Sequence, residues 1–337
     1  MIRLNSVWSH FFLLIMLLTG CFKEDEIVAP HPRGDAKSDT IAMTSTYKYQ
    51  VYYNLDSTGT VSTNLKMESD LAFECSADGW HILLNTASFM YAADLGLMPF
   101  GIPQDTVGVT WWFDRSDGNP DSTAIGIWFD VTSDGDTISN QHVYAINRGL
   151  DDLGNPLGFM QVIFDSLKNG SFYFRFAPLL GGETVFATVP KDPAVNYLYF
   201  SFDEGGTIRN LEPQKTDWDL LFTQYTTLLF TDIGEAYPYL VTGVLVNRNG
   251  VEVAKDSLND FSTITFDMAQ QLNYSSNLDA IGYDWKYYNF EAGSYTVTLG
   301  VSYVIRNHSG FYYKLRFVGF YNDLGQKGYP AIEYQRL

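Results

Sequence analysis

From Tyr47 to the C-terminus, short runs dominated by aromatic and β-branched residues alternate with turn-forming pairs. The runs include "YKYQVYYNL" from Tyr47, "GVTWWF" from Gly108, "AIGIWFDV" from Ala124, "SFYFRFA" from Ser171 and "YYKLRFVGFY" from Tyr312. Between them stand Asp78-Gly79, Asp117-Gly118, Asp134-Gly135 and Asn249-Gly250, pairs that accept the positive φ a two-residue hairpin requires. The pattern predicts an all-β chain of antiparallel strands, with the folded part starting near Tyr47. Only Thr265 to Tyr274 has a spacing that suits a helix, and a short one.

The N-terminal pattern is of another kind. Arg3 precedes an unbroken apolar run, Phe11 to Leu18, that ends in Leu18-Thr19-Gly20-Cys21. The run is too short for a membrane span, which needs roughly 20 apolar residues, and its layout is that of a secretory signal. Its end resembles the lipobox of bacterial lipoproteins, which implies that residues 1–20 are removed and that Cys21 becomes the lipidated first residue. Residues 21–46, polar and broken by Pro30, Pro32 and Gly34, then read as a flexible linker. Lys23-Glu24-Asp25-Glu26 resembles the acidic tag that directs some outer-membrane lipoproteins to the cell surface.

Motifs recur along the rest of the chain. "LDSTGT" from Leu55 returns as "FDEGGT" from Phe202, and "SDLAF" ending at Phe73 returns as "WDLLF" ending at Phe222, about 147 and 149 residues apart. Tyr144-Ala145-Ile146 with Gly158-Phe159 is paralleled by Tyr303-Val304-Ile305 with Gly310-Phe311. Order is kept while loop lengths drift, as in a duplicated unit. The reading is two tandem β-sandwich-like units, 47–190 and 191–337, divided at the Val189 to Pro193 stretch.

Composition narrows the function. A net charge of -18 excludes nucleic acid as a partner, because such binding depends on Lys and Arg neutralising phosphates. An apolar content of 46% supplies a core. Once Cys21 is lipidated, Cys75 is the one thiol left, so no internal disulfide is expected. No nucleophile elbow, H-E-x-x-H, P-loop or Cys/His metal cluster occurs, and the chain reads as a binding protein, not an enzyme. "DVTSDGDTI" from Asp130 opens like a calcium loop but has Gln141 at the twelfth place, so a hairpin turn is the better reading.

"YLYFSFDEGG" from Tyr197, "TDWDLLFTQY" from Thr216, "VTGVL" from Val241, "DWKYYNF" from Asp284 and the C-terminal block from Tyr303 resemble HmuY-like lipoproteins, all-β haem-binding proteins of the outer membrane. The first half is similar more loosely, through "SDLAFECSADGWHILLNT" and the repeat. The resemblance implies an outer-membrane, lipid-anchored, surface-exposed protein that binds haem and passes it to a TonB-dependent receptor. It also implies axial ligands of the His, Met or Tyr type. The segment between "WDLLFTQY" and "DWKYY", where the family's ligands fall, holds no histidine but does hold Met268, Tyr237 and Tyr239. Met90 and Met98 share the loop-like stretch from Asn85 to Gly101, and His81 and His142 fall in strands. Met90, Met98, Met268, His81 and His142 are therefore the candidate haem ligands, with methionine, tyrosine or mixed ligation expected. The competing reading is a surface glycan- or protein-binding module, carried by Trp111, Trp112, Trp128 and the tyrosine-rich strands.

Overall fold

A computed structural model describes residues 34–57, 59–131 and 137–337. Cys21, the signal and the acidic tag lie outside the described residues, as does most of the calcium-like loop. The first strands are β1 (Lys37–Thr40), β2 (Tyr49–Asn54), β3 (Gly59–Leu65), β4 (Leu71–Glu74), β5 (Ile82–Leu84) and β6 (Tyr91–Asp94). The short β7 (Phe129–Val131) and β8 (Thr137–Ser139) pair with each other, so strands do flank the calcium-like loop. There follow β9 (Tyr144–Asn147), β10 (Phe159–Lys168), β11 (Ser171–Pro178) and β12 (Val185–Pro190). The second half supplies β13 (Tyr197–Ser201), β14 (Thr207–Arg209), β15 (Leu220–Phe230), β16 (Ala236–Val246) and β17 (Glu252–Asp256). One helical turn, α1 (Phe266–Ala269), precedes β18 (Lys286–Asn289), β19 (Ser294–Val297), β20 (Ser302–Arg306), β21 (Tyr312–Tyr321) and β22 (Lys327–Arg336). The protein is all-β, and its strand pairs are antiparallel. No helix among the described residues is long and apolar enough to cross a membrane.

Two sandwiches result. In the first, the sheet β12-β11-β10-β9-β6 packs on β14-β13-β4-β5 around Phe73, Trp128, Phe164, Phe172, Phe174 and Phe176. In the second, β1-β22-β21-β20-β17 packs on β16-β15-β2-β3 around Tyr53, Phe222, Tyr303 and Trp285, whose ring stacks on Phe317 at 3.9 Å. The period of two is plain in β11, where Phe172, Phe174 and Phe176 are buried and Ser171, Tyr173 and Arg175 are not. Burying each such ring contributes roughly 1.5–3 kcal/mol.

Order starts earlier than the linker reading placed it. Lys37 to Thr40 pairs with Tyr334 to Ala331, and Ile41 and Met43 are fully buried in the second core, so the last part of 21–46 belongs to the fold. The boundary expected at Val189 to Pro193 covers the last two residues of β12 and the start of the link to β13, and strands from both sides of it share sheets. Hairpin β2-β3 pairs through Tyr53 with Leu220 and through Val51 with Phe222. Hairpin β13-β14 pairs through Phe200 with Leu71 and through Leu198 with Phe73. Those are the same repeat positions in reverse: each half's first hairpin lies beside the other half's next strand. The hydrogen bonds repeat as well. Asn85 Nδ2 donates to the carbonyls of Lys66 and Ser69, and Asn247 Nδ2 to those of Lys215 and Trp218.

Among the buried ionisable groups, Asp114, Glu212 and Lys286 are all moved to about 7. Burial raises Asp114 and Glu212 to about 7, although Asp114 accepts from the amides of Leu84 and Ala124 and Glu212 from those of Asn196 and Tyr197. Burial lowers Lys286 to about 7; its Nζ donates to the Thr242 carbonyl and sits 4.2 Å from the Trp285 ring centroid. The stabilisation from the two acids is complete below the ordinary carboxylate range and is lost as pH rises through about 7. That from Lys286 is complete above the ordinary lysine value and is lost as pH falls through about 7. Urea unfolding should therefore show stability falling from pH 5 to 7 by about 4 kcal/mol, with two acids contributing, and rising from 7 to 9 by about 2 kcal/mol. Lys286→Met should flatten the alkaline arm and Glu212→Gln should about halve the acid arm, Asp114 carrying the rest; unchanged slopes would refute the assignment.

Candidate functional site

β6 ends at Asp94, and the turn after it brings two of the candidate ligands together. Asp94 Oδ1 accepts from the Gly96 amide at 2.7 Å, while Oδ2 lies 2.8 Å from His142 Nδ1. Gly96, at φ 72°, takes the left-handed conformation that lets the chain fold back here. Its carbonyl accepts from the amides of Met98 and Val143, at 3.0 and 2.9 Å, and the Leu95 amide donates to the Val143 carbonyl. One carboxylate and one turn thus fix both the Met98 backbone and the His142 ring. Met98 is 47% exposed, and the His142 side chain is about one-third exposed.

The surroundings are apolar with a cation at hand. Leu95, Val109 and Trp111 pack on Ala93, Ala145 and Leu179, covering the outer face of the five-stranded sheet, and Trp111 leans on Phe159. Beside His142, Gln141 accepts from Arg175 Nη2 at 2.9 Å, and the Arg175 guanidinium lies 5.4 Å from the Phe100 ring centroid. An imidazole held by a carboxylate at Nδ1 presents Nε2 in a set orientation, the usual arrangement of metal-binding histidines. With Met98 tied to the same turn through its backbone, and with Arg175, which also pairs with Asp165 at 3.3 Å, beside Gln141, the site carries two donor types of the axial kind and a guanidinium.

The other candidates are dispersed. Met90 is 1% exposed in the first core, among Phe73, Trp128 and Phe164, so it fills the interior while Met98 stands at the surface. His81 stacks on Trp80 at 3.9 Å, with Nδ1 2.5 Å from Glu74 Oε2, on the face of the first sandwich that carries β4 and β5. Met268 is half-buried on α1 in the second half, its amide capped by the Thr265 hydroxyl. Trp128 is buried, whereas Trp112 is 61% exposed and Tyr237 and Tyr239 form an exposed edge-to-face pair on β16. Among the described residues no group of three His, Cys, Asp or Glu side chains could hold a free metal ion. Asp94, Phe100 and Arg175 escaped the sequence reading; apart from an acidic residue four positions before Met98, nothing local marks them.

Comparison with known proteins places the second half. The family model described as HmuY protein matches residues 194–334. No curated protein matches the chain. Among solved structures, apo PinO from Porphyromonas gingivitis is 9% identical over 90% of this chain and 98% of its own, with a TM-score of 0.30. The apo HmuY analogue TFO of Tannerella forsythia is 10% identical over 90% and 97%, with a TM-score of 0.26. A HmuY-like heme binding protein from Bacteroides vulgatus is 16% identical over 38% and 78%, with a TM-score of 0.18. At these scores the superpositions carry no argument about the site.

Proposed function

From the HmuY family character of residues 194–334, we propose that this chain captures haem and passes it to a TonB-dependent receptor at the outer membrane. Lipidation at Cys21 would hold it there, on the cell surface. The observation that carries the proposal is the turn after β6, where Asp94 holds the His142 ring and the Gly96 carbonyl holds the Met98 backbone, with both side chains at the surface. His142 and Met98 would take the iron, and Arg175 would face a propionate. Neither the reaction of a substrate nor a catalytic group is needed for this role, and it is not an enzymatic one. Met/His ligation raises the iron's potential, so reduced haem should bind more tightly than oxidised haem. Titrating the full chain with haemin and with dithionite-reduced haem tests this: a red-shifted Soret band, reached at lower concentration with reductant, is expected. No spectral change in either state would remove the proposal.

A second reading rests on exposed aromatics. Tyr237 and Tyr239 on β16, with Tyr287, Tyr288 and Phe290 on the β18-β19 hairpin, offer rings to a sugar or a protein partner. It would become the better account of the chain if haem failed to bind. For the anchor, a Cys21→Ala form should leave the membrane fraction; retention there after a high-salt wash, with the signal segment removed, would place the anchor elsewhere.

A further inference from the structure

The two sandwiches meet through the outer faces of their four-stranded sheets, where the Tyr52 hydroxyl on β2 approaches the Tyr199 hydroxyl on β13 at 3.4 Å. The contact joins equivalent positions of the repeat, but the side chains around it are unequal. Trp218 and Leu221, just before and within β15, have Ser69 and Ala72 as their counterparts at β4. Small residues on one side therefore fail to fill what large ones fill on the other. A cavity of about 160 Å³ remains, lined by all four together with Leu83 and Leu245.

Two hydroxyls of residues that line the cavity are unanswered. Tyr197 on β13 and Tyr225 on β15 are 8% and 1% exposed, and neither hydroxyl has a hydrogen-bond partner among the described residues. One comes from each sheet, and both residues line the cavity. A buried hydroxyl without a partner costs roughly 1–3 kcal/mol, which a ligand oxygen would recover. Burial also keeps both phenols protonated and able to donate. Asp114 and Glu212 line the same space and disfavour an anion. The guanidinium of Arg248 is engaged with the Gly118 carbonyl and the Tyr197 ring.

We propose that this cavity binds a small uncharged aromatic molecule of one ring bearing a single hydroxyl or comparable oxygen. The ring would lie among Ala72, Leu83, Leu221 and Leu245, and the oxygen would accept from Tyr197, whose neighbours Arg248, Glu212 and Asp114 also line the space. The size is apt, since an engineered apolar cavity of about 150 Å³ holds benzene.

Phenol and toluene, equal in size and differing in the oxygen, are the probes. Calorimetric titration of the full chain should show phenol binding about fivefold more tightly than toluene. Tyr197→Phe should bring phenol down to the toluene affinity without changing toluene, whereas Tyr225→Phe, whose hydroxyl lies by Gly282, should leave the phenol preference in place. Ala72→Leu, which copies the Leu221 position, should abolish binding of both and raise the melting temperature. Should Ala72→Leu fail to fold, the two Phe variants decide alone. Equal affinities for the two probes would overturn the proposal, as would a phenol preference surviving Tyr197→Phe. Ordered water alone in the cavity of a phenol-soaked crystal would overturn it too.

Discussion

Replacing His142 by alanine is expected to weaken haem binding by at least about 100-fold, and replacing Asp94 by asparagine by about 10- to 100-fold. The two changes act on one imidazole. His142→Ala removes the donor atom, whereas Asp94→Asn leaves it in place but withdraws the acceptor that fixes the ring through Nδ1 at 2.8 Å. Asparagine can still accept from the Gly96 amide, so the turn carrying Met98 survives and the loss reports orientation, not unfolding. Met98→Ala should cost about tenfold and shift the Soret band, because a thioether is the weaker of the two donors and a solvent ligand can take its place. Absorption titrations with reduced haem, alongside circular dichroism to confirm the β fold, measure all three. Binding unaffected by His142→Ala and Met98→Ala, yet lost in His81→Ala or Met268→Ala, would move the site away from this rim. Met90→Ala is the control for interior damage: Met90 is packed among phenylalanines, so its loss should lower stability by about 2–5 kcal/mol without changing the spectrum of bound haem.

Local chemistry made the strands legible, because alternation marks a face and Asp-Gly or Asn-Gly marks a turn within a few residues. Partnership between strands is another matter. The pattern in Tyr49 to Asn54 says that one face is buried, but not that Tyr53 lies opposite Leu220, since any apolar face would satisfy it. Strand β1 was hidden for a related reason: Lys37-Ser38-Asp39-Thr40 is polar because it is an edge strand, and its place is fixed by backbone pairing to β22 and by Ile41 and Met43 beyond its end. The site shows the same division. Met98 and His142 could be named as donors by residue type, but their convergence depends on Asp94, 48 positions from His142, and on a carbonyl at Gly96. Nothing in a one-dimensional pattern carries such a contact. Met90 illustrates the converse, since its proximity to Met98 in sequence gave no hint that the chain would turn one inward and the other outward.

Arg148→Met is expected to destabilise the protein by about 3–5 kcal/mol at pH 7.5, and the repeat supplies the control. Asp70, 2% exposed, accepts from Arg148 Nε at 2.6 Å and Nη2 at 3.0 Å and from the Phe202 amide at 2.7 Å. Burial pushes its carboxyl up, and the arginine opposes that. Without the guanidinium a buried carboxylate is left with one amide donor, so the variant must either hold an uncompensated charge or take up a proton. Lowering the pH to 5 should therefore relieve much of the cost, and the double variant Asp70→Asn/Arg148→Met should recover part of it at pH 7.5. At the equivalent place in the second half, Asp219 accepts from the Leu55 amide at 2.7 Å, and the nearest cation-forming group is His308, 3.9 Å away. Burial raises that carboxyl to about 6, with no guanidinium beside it. Asp219→Asn should then cost no more than about 1 kcal/mol at pH 7.5, where the buried carboxylate is itself a burden, and more at pH 5, where the wild-type carboxyl is protonated. Urea titrations of the four proteins at both pH values make the comparison. An Arg148→Met penalty that is small, or equal at the two pH values, would show that the pair is not what holds Asp70 ionised in the fold.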